Sequence, residues 1–330
     1  MAEYLLSGAA GFIAARVAEL LLEQGHQVVG IDNLNDAYDV TIKQRRLERL
    51  RRDPNFKFYE FDISDWPAVQ QMQSELEQQG AGRFAGVINL AARAGVRQSV
   101  ANPWVYVDTN VTGTLNLLEL CKRKEIKKFV LASTSSIYGD DAPLPTPETA
   151  SSDRPLQPYA ATKKGAEALC HAYHYLSGID VSVFRYFTVY GPWGRPDMSM
   201  FRFTKWIYEG QPLRVFGDGE QSRGFTYVDD IAQGTILGLK PVGFEIMNLG
   251  GHESITINAL IQLLEEKIGK KAILTYEPRH PADMLANRAD VEKAGRILGW
   301  EPQVSLEEGI ERLVDWYKAE RAWASTIQTG

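Results

Sequence analysis

The chain has 330 residues, 44% of them hydrophobic and 24% charged, with a formal net charge of -6 at pH 7. That size allows one large α/β domain with a smaller one, and the acidic balance leaves no positive field of the kind nucleic-acid binders turn on phosphates. Cys121 and Cys170, the two cysteines, give neither a disulfide framework nor a metal-ligand spacing, which fits a reducing cytoplasm and no metal.

The apolar stretch Tyr4 to Ala15 has no positive segment before it and is interrupted by Gly8 and Gly11, so it reads as a strand and turn, not as a signal peptide. No apolar run reaches the ~20 residues of a membrane span, which leaves no membrane partner. Short β-branched or apolar runs predict strands at Tyr4–Ser7, Gln27–Ile31, Lys57–Phe61, Gly86–Leu90, Lys128–Ser133 and Asp180–Arg185. Amphipathic stretches between them predict helices at Phe12–Glu23, Val40–Arg51, Ala68–Gln78, Pro103–Arg123 and Tyr159–Leu176. Strands alternating with helices imply a doubly wound parallel sheet of the Rossmann type.

Tyr190 to Met200 is rich in Gly, Pro and aromatics and reads as a loop over a ligand. Helices are predicted after it at Met200–Glu209, Tyr227–Leu239, Ile257–Ile268, Asp290–Leu298 and Ser305–Glu320, with strands at Leu213–Phe216 and Ile273–Tyr276. The organisation expected is a dinucleotide-binding domain over 1–187, joined by about 225–250, and a smaller α/β substrate lid over most of 188–330.

The first strand runs into Gly8-Ala9-Ala10-Gly11-Phe12-Ile13-Ala14. Small residues at 8 and 11 let backbone amides approach a pyrophosphate, and the helix beginning at Phe12 and Ile13 points its positive end there. Ala14 takes the third small position. Asp32 ends the second strand about 20 residues on, where a carboxylate accepts hydrogen bonds from the ribose hydroxyls and repels a 2′-phosphate, which favours NAD over NADP; a turn or cap is the other reading of Asp32 and Asn33. Asp62 closes the third strand where an adenine amino group can be met, and a helix cap before Trp66 is its alternative.

Tyr159 and Lys163 sit one helical turn apart in Pro158-Tyr159-Ala160-Ala161-Thr162-Lys163 and share a face. An ammonium beside a phenol, with an oxidised nicotinamide near, should bring the phenol down from its ordinary pKa near 10 toward use as a general base. Ser133-Thr134-Ser135-Ser136-Ile137-Tyr138-Gly139 places hydroxyls at the end of a strand, at the carboxyl edge of the sheet where ligands bind.

With these residues the chain resembles the extended short-chain dehydrogenase/reductase family, and within it the nucleotide-sugar 4-epimerases. The resemblance runs through nearly the whole chain. It includes Leu90-Ala91-Ala92, Asp108-Thr109-Asn110-Val111, Arg185-Tyr186-Phe187, Phe225-Thr226-Tyr227-Val228-Asp229-Asp230 and Leu298-Gly299-Trp300. It implies Tyr159 as acid/base, Lys163 on the cofactor ribose and Thr134 on the reacting hydroxyl. It implies a cofactor site that also takes in Asn35, Ile63, Leu90, Ala91, Ala92, Asn110 and Tyr186. NAD is implied to stay bound while hydride leaves C4 of the sugar, the 4-keto sugar rotates, and hydride returns to the opposite face.

Relatives that dehydrate carry Asp-Glu after the Thr, and those that decarboxylate UDP-glucuronate carry Glu at the second place. Ser135 and Ser136 occupy those places here, and neither hydroxyl titrates near neutral pH, which points to ketone formation and return. The stretches Asp32 to Asp39 and Phe187 to Met198 look most like UDP-glucuronate 4-epimerases. Thr188 with Arg195 is the candidate set for a hexuronate carboxylate; Arg195 as a loop ion pair or phosphate contact is the other reading. Val215, Arg223 and Asp283 are implied on the uridine diphosphate. Gly224 and His280 depart from the family's residues, which loosens those contacts. A UDP-glucose or UDP-N-acetylhexosamine 4-epimerase uses the same catalytic set, and a catalytically silent NAD-binding sensor is the reading of another class. Trp104, Tyr106 and the stretch Pro103 to Arg123, with Tyr159 to Leu176, are expected to form a helical homodimer face, with core-facing aromatics as the alternative.

Overall fold

A computed structural model of the chain describes residues 1–251, 253–278 and 286–329. Seven parallel strands form the large sheet: β1 (Glu3–Ser7), β2 (Gln27–Asp32), β3 (Phe56–Glu60), β4 (Gly86–Asn89), β5 (Lys128–Thr134), β6 (Asp180–Tyr186) and, further along the chain, β10 (Phe244–Leu249). Their order is β10-β6-β5-β4-β1-β2-β3, so the direction of winding reverses between β1 and β4, the place where a doubly wound sheet opens a ligand crevice. The middle strands are buried along their whole length, as a sheet covered on both faces requires. Helices Phe12–Glu23 and Val228–Leu237 cover one face, and Trp66–Gln78, Gly113–Arg123 and Pro158–Ser177 cover the other.

The rest of the chain makes two short sheets. β7 (Thr188–Tyr190), β9 (Ser222–Tyr227) and β11 (Ser254–Thr256) form one, in the order β11-β9-β7; β8 (Pro212–Phe216) pairs in parallel with β12 (Ile273–Glu277) in the other. Helices Ser199–Glu209, Ile257–Ile268 and Leu306–Ala324 close a second apolar core around Trp206, Leu213, Phe225, Leu260 and Ile310. No helix among the described residues is long and apolar enough to cross a membrane.

The predicted helix over Pro103–Arg123 is continuous but not uniform: Trp104–Tyr106 and Gly113–Arg123 flank a π-helical stretch, Val107–Thr112. The wider turn rotates side chains relative to an α-helix. Tyr106 turns inward, 2% exposed, while Trp104 remains 76% exposed. Tyr106 is thus a core-facing aromatic, while Trp104 faces outward. The short strands β7, β9 and β11, the strand β10 and the helix Val96–Ala101 were not among the predicted elements.

Candidate active site

The turn after β1 is shaped by contacts only glycine permits. Gly8 has φ 74, and a Cβ there would lie 2.8 Å from the backbone nitrogen of Ala91. A Cβ on Gly11 would meet the Gly8 carbonyl at 2.8 Å, and Gly11 N–H donates to that carbonyl at 2.7 Å. Ala14 is 2% exposed within the core, so its methyl is accommodated. Phe12 and Ile13 turn their side chains into packing, leaving the backbone at the helix start for a ligand.

A cleft with about 610 Å3 of non-atom space, its open mouth included, follows this turn along the ends of β1 to β4. Gly8, Gly11, Asp32, Asn33, Asn35, Asp62, Ile63, Leu90, Ala91, Ala92 and Arg195 line it, together with Tyr38, Lys43, Phe61 and Thr109, which the sequence reading had not singled out. Burial pushes the Asp32 carboxyl up; Lys43, the N–H groups of Leu34 and Ala10, and Arg46 pull it back. Asp32 is thus both a turn former, accepting from Leu34 N at 2.9 Å, and a cleft carboxylate. Asp62 accepts from Asn33 Nδ2 at 2.6 Å, and the helix after it is capped by Asp65, so Asp62 is not that cap. Asn33 Oδ1 accepts from Asn35 Nδ2 at 2.6 Å, and Asn35 Oδ1 in turn from Arg93 Nη1 at 2.7 Å and Lys43 Nζ at 3.2 Å.

Two residues expected at the cofactor have their side chains committed elsewhere. Asn110 does not line the cleft; it is 1% exposed and its amide is committed to Arg93 N, Arg93 O and Thr162 Oγ1. The Tyr186 phenol shares a 2.7 Å hydrogen bond with Thr235 inside the core, so only its backbone can face a ligand.

At the carboxyl end of β5, Thr134 accepts from Ser136 N at 3.1 Å and donates to Ser136 Oγ at 3.2 Å. Tyr159 enters from the first turn of the Pro158–Ser177 helix, where Pro158 fixes the start. Its ring stands edge-on to Tyr106 at 6.1 Å. Burial pushes its phenol upward, against a hydrogen bond with Thr134 and the positive charge of Arg195. That is opposite in direction to the expectation from Lys163, because desolvation of a phenolate outweighs both.

Lys163, 2% exposed, is pushed down to about 8 by desolvation, opposed by Glu167. Its ammonium makes no hydrogen bond among the described residues, so a buried donor is left with its bonds unspent. Glu167, one turn further on, accepts from Arg185 at 3.0 and 2.8 Å and from Ser133 Oγ at 2.6 Å. It ties the helix to β5 and β6. A dinucleotide fits this set: a glycine cradle for its pyrophosphate, a carboxylate at the end of β2 for its ribose, and a free ammonium on the nicotinamide side.

Arg195 is forked onto Asp197, Nε to Oδ1 at 3.0 Å and Nη2 to Oδ2 at 2.6 Å. This loop ion pair was one of the two readings of Arg195. The guanidinium also lines the cleft, 5.5 Å from the Tyr38 ring, and its Nη1 makes no hydrogen bond among the described residues. Ser135 lines a second cavity with Phe187, Tyr138 and Asn287, and Thr188, which follows Phe187 in the chain, begins β7. Val215 is 1% exposed inside the second core; its side chain is packing, so any contact it makes with a ligand is through its backbone. Arg223 is partly exposed on β9, and Asp283 lies outside the described residues, as does His280. Gly224 has a physical reason: its N–H donates to Asn287 O at 2.9 Å, and a Cβ would press that oxygen at 3.2 Å. A larger residue would press on the Asn287–Arg288 backbone that runs past it.

The profile of the NAD dependent epimerase/dehydratase family matches residues 4–250. A UDP-glucuronate 4-epimerase of Thermodesulfobacterium geofontis is 57% identical over 319 residues, spanning 96% of this chain and 97% of that protein. Among solved structures, the UDP-glucuronic acid 4-epimerase of Bacillus cereus in complex with UDP-glucuronic acid and NAD superposes with a TM-score of 0.86 at 36% identity, over 96% of this chain and 99% of that one. The UDP-glucose 4-epimerase of Thermotoga maritima with UDP-glucose gives 0.88 at 34% identity, over 97% and 99%. The chain belongs to the NAD-dependent epimerase/dehydratase family.

Proposed function

We propose that the chain inverts C4 of UDP-glucuronate, giving UDP-galacturonate, through a transient 4-keto sugar. The observation that carries this reading is the convergence of Tyr159 and Thr134, whose hydroxyl works against the burial that raises the phenol's pKa, with Ser135 and Ser136 in place of the acidic residues an elimination needs. Tyr159 takes the proton of the C4 hydroxyl while Thr134 holds that oxygen. Lys163, with its hydrogen bonds unspent, holds a ribose hydroxyl and keeps positive charge near the phenol. NAD, when bound, supplies the hydride acceptor and donor, and its positive ring adds to the charges that favour the phenolate. After the keto sugar turns over, Tyr159 returns the proton to the oxygen on the other face. The direct neighbours of Thr134 titrate far from neutrality, so no base stands ready to draw the ketone into elimination.

Arg195 Nη1, Thr188 and the two serines are the donors assigned to the uronate carboxylate, a charge-assisted set that a hexose does not use. The second core is the lid that holds the uridine diphosphate, and the large sheet, closed by β10, is the dinucleotide domain. The protein works in the cytoplasm as a homodimer, paired through the outward residues Val100, Trp104 and Val107 beside Tyr175 and Leu176 of the Pro158–Ser177 helix, all exposed apolar side chains.

The test is direct: incubate purified protein, with no nucleotide cofactor added, separately with UDP-glucuronate, UDP-glucose and UDP-N-acetylglucosamine, and resolve the products. Conversion of UDP-glucuronate alone, with NAD released on denaturation, is the expected result. Faster turnover of a neutral hexose would move the substrate assignment, and no turnover of any would favour the silent NAD-binding sensor.

A further inference from the structure

The loop from Gly191 to Asp197 carries Arg195 and has no regular structure of its own. Gly191 has φ 144 and Trp193 φ 63, a left-handed conformation a bulky side chain rarely adopts unless its surroundings hold it. Two sets of contacts do so. Arg46, 1% exposed on the Val40–Leu50 helix, donates to Trp193 O from Nε at 3.1 Å and Nη2 at 2.5 Å, and to Gly194 O from Nη2 at 3.3 Å. Its Nη1 reaches Ala10 O in the glycine turn and the Tyr38 hydroxyl, both at 2.9 Å. All five donors of this guanidinium are met by uncharged oxygens. One side chain therefore binds the phosphate turn, the aromatic ring against Arg195 and the backbone just before Arg195.

The second set comes from the chain's end. The Trp193 ring stacks on Trp323 at 5.3 Å and 25°, meets Trp316 at 5.4 Å, and carries the Arg49 guanidinium 4.6 Å from its centre. Beyond Trp323, Ile327 is buried against Ile42 and Phe201, Lys205 Nζ donates to its carbonyl at 2.5 Å, and Gln328 N–H donates to Asp39 Oδ2 at 2.7 Å. The last turns of the chain thus clasp both the loop and the segment before the Val40–Leu50 helix.

We propose that Arg46 and Trp323 are positioning residues for recognition of the substrate's acidic group: neither is placed to touch substrate, and both act by fixing the loop that presents Arg195. The proposal rests on the assignment of Arg195 to the uronate carboxylate. A lysine at 46 keeps the charge but offers donors from one nitrogen only, and cannot span Ala10 O and Trp193 O together.

The experiment is a double-mutant cycle on UDP-glucuronate kinetics with Arg195→Ala, Trp323→Leu, Arg46→Lys and the two pairings with Arg195→Ala, each checked for bound NAD by mass and for folding by near-UV circular dichroism. Trp323→Leu and Arg46→Lys are each expected to raise KM by about tenfold or more with kcat changed far less, and to add nothing further once Arg195 is absent. Unchanged KM in Trp323→Leu, or effects that simply add to that of Arg195→Ala, overturn the positioning role. Should Arg46→Lys not fold, Trp323→Leu, which leaves the glycine turn untouched, decides alone. If Arg195→Ala itself leaves uronate kinetics as they were, the carboxylate assignment fails and the positioning role with it, a pattern distinct from failure of the coupling alone.

Discussion

Lys163 carries a conflict between stability and chemistry that can be measured. Its folded pKa of about 8 lies below the ordinary value, so the cost of burying its charge is fully present below pH 8 and fades as pH rises from there through the ordinary lysine range near 10.4. Lys163→Met is expected to stabilise the protein at pH 7 by up to about 3 kcal/mol, the free energy that separates the buried ammonium from an ordinary, solvated one. The gain should shrink toward pH 10, and urea unfolding at the two pH values checks it. Tyr159→Phe should retain fold and NAD while kcat falls by about 10²–10⁴; near-normal turnover would remove Tyr159 from the chemistry. Arg195→Ala should raise KM for UDP-glucuronate by a factor corresponding to about 1.5–3 kcal/mol, the scale of a hydrogen bond to a charged group, and affect UDP-glucose much less. A C4 ketone also makes the uronate a β-keto acid, and a carboxylate released from its donors can align with the carbonyl and leave as carbon dioxide. UDP-pentose in the products, found by mass, is therefore the second sign of a lost clamp. Asp32, Thr134, Tyr159 and Lys163 were legible because their chemistry depends on residue type at a fixed local spacing. Lys43, Arg46 and Glu167 were not singled out: they are charged residues inside the buried stripes of amphipathic helices, and their role depends on partners distant in the chain. The burial of the Val215 side chain in the second core was hidden for a related reason, since alternation along β8 does not tell a ligand cleft from a core.

The elements that followed from periodicity were those long enough to show it. The strands of β1 to β6 and their helices appear within a residue or two of the predicted spans, whereas β7 and β11 have three residues each, too few for alternation to register. They exist because β9 lies between them to pair with. The π-helical stretch Val107–Thr112 has no sequence signature of its own. It is specified by what it serves, bringing Tyr106 against Tyr159 and Asn110 under Arg93. The tightest element is the turn at Gly8. Gly8→Ala would place a methyl 2.8 Å from Ala91 N at a positive φ, a conformation costing an L-residue about 1–2 kcal/mol before any clash. The expected outcome is a lowered melting temperature and protein isolated without NAD. Unchanged nucleotide content would mean that the pyrophosphate does not sit on this turn.

On the scale of the whole molecule, the exposed Trp104 is the sharpest probe of assembly. A charged side chain in a closed apolar interface is costly, so Trp104→Glu should convert a dimer to monomer in light scattering, with the catalytic residues untouched; an unchanged mass would place the contact elsewhere or dispense with it. The order of the strands has a consequence of another kind. The chain leaves the large sheet after β6, builds β7, β8 and β9, returns to add β10 beside β6, and departs again. A gene ending at residue 187 would therefore encode a sheet whose β6 has lost its neighbour, with a row of unpaired N–H and C=O groups open to any other extended chain. The reciprocal fragment would carry β10 without β6, the strand it pairs with. Neither half is an exchangeable module. In such a chain a new sugar is reached by substitution within the loops already present, residue by residue, and not by recombination of a new cap onto an old base.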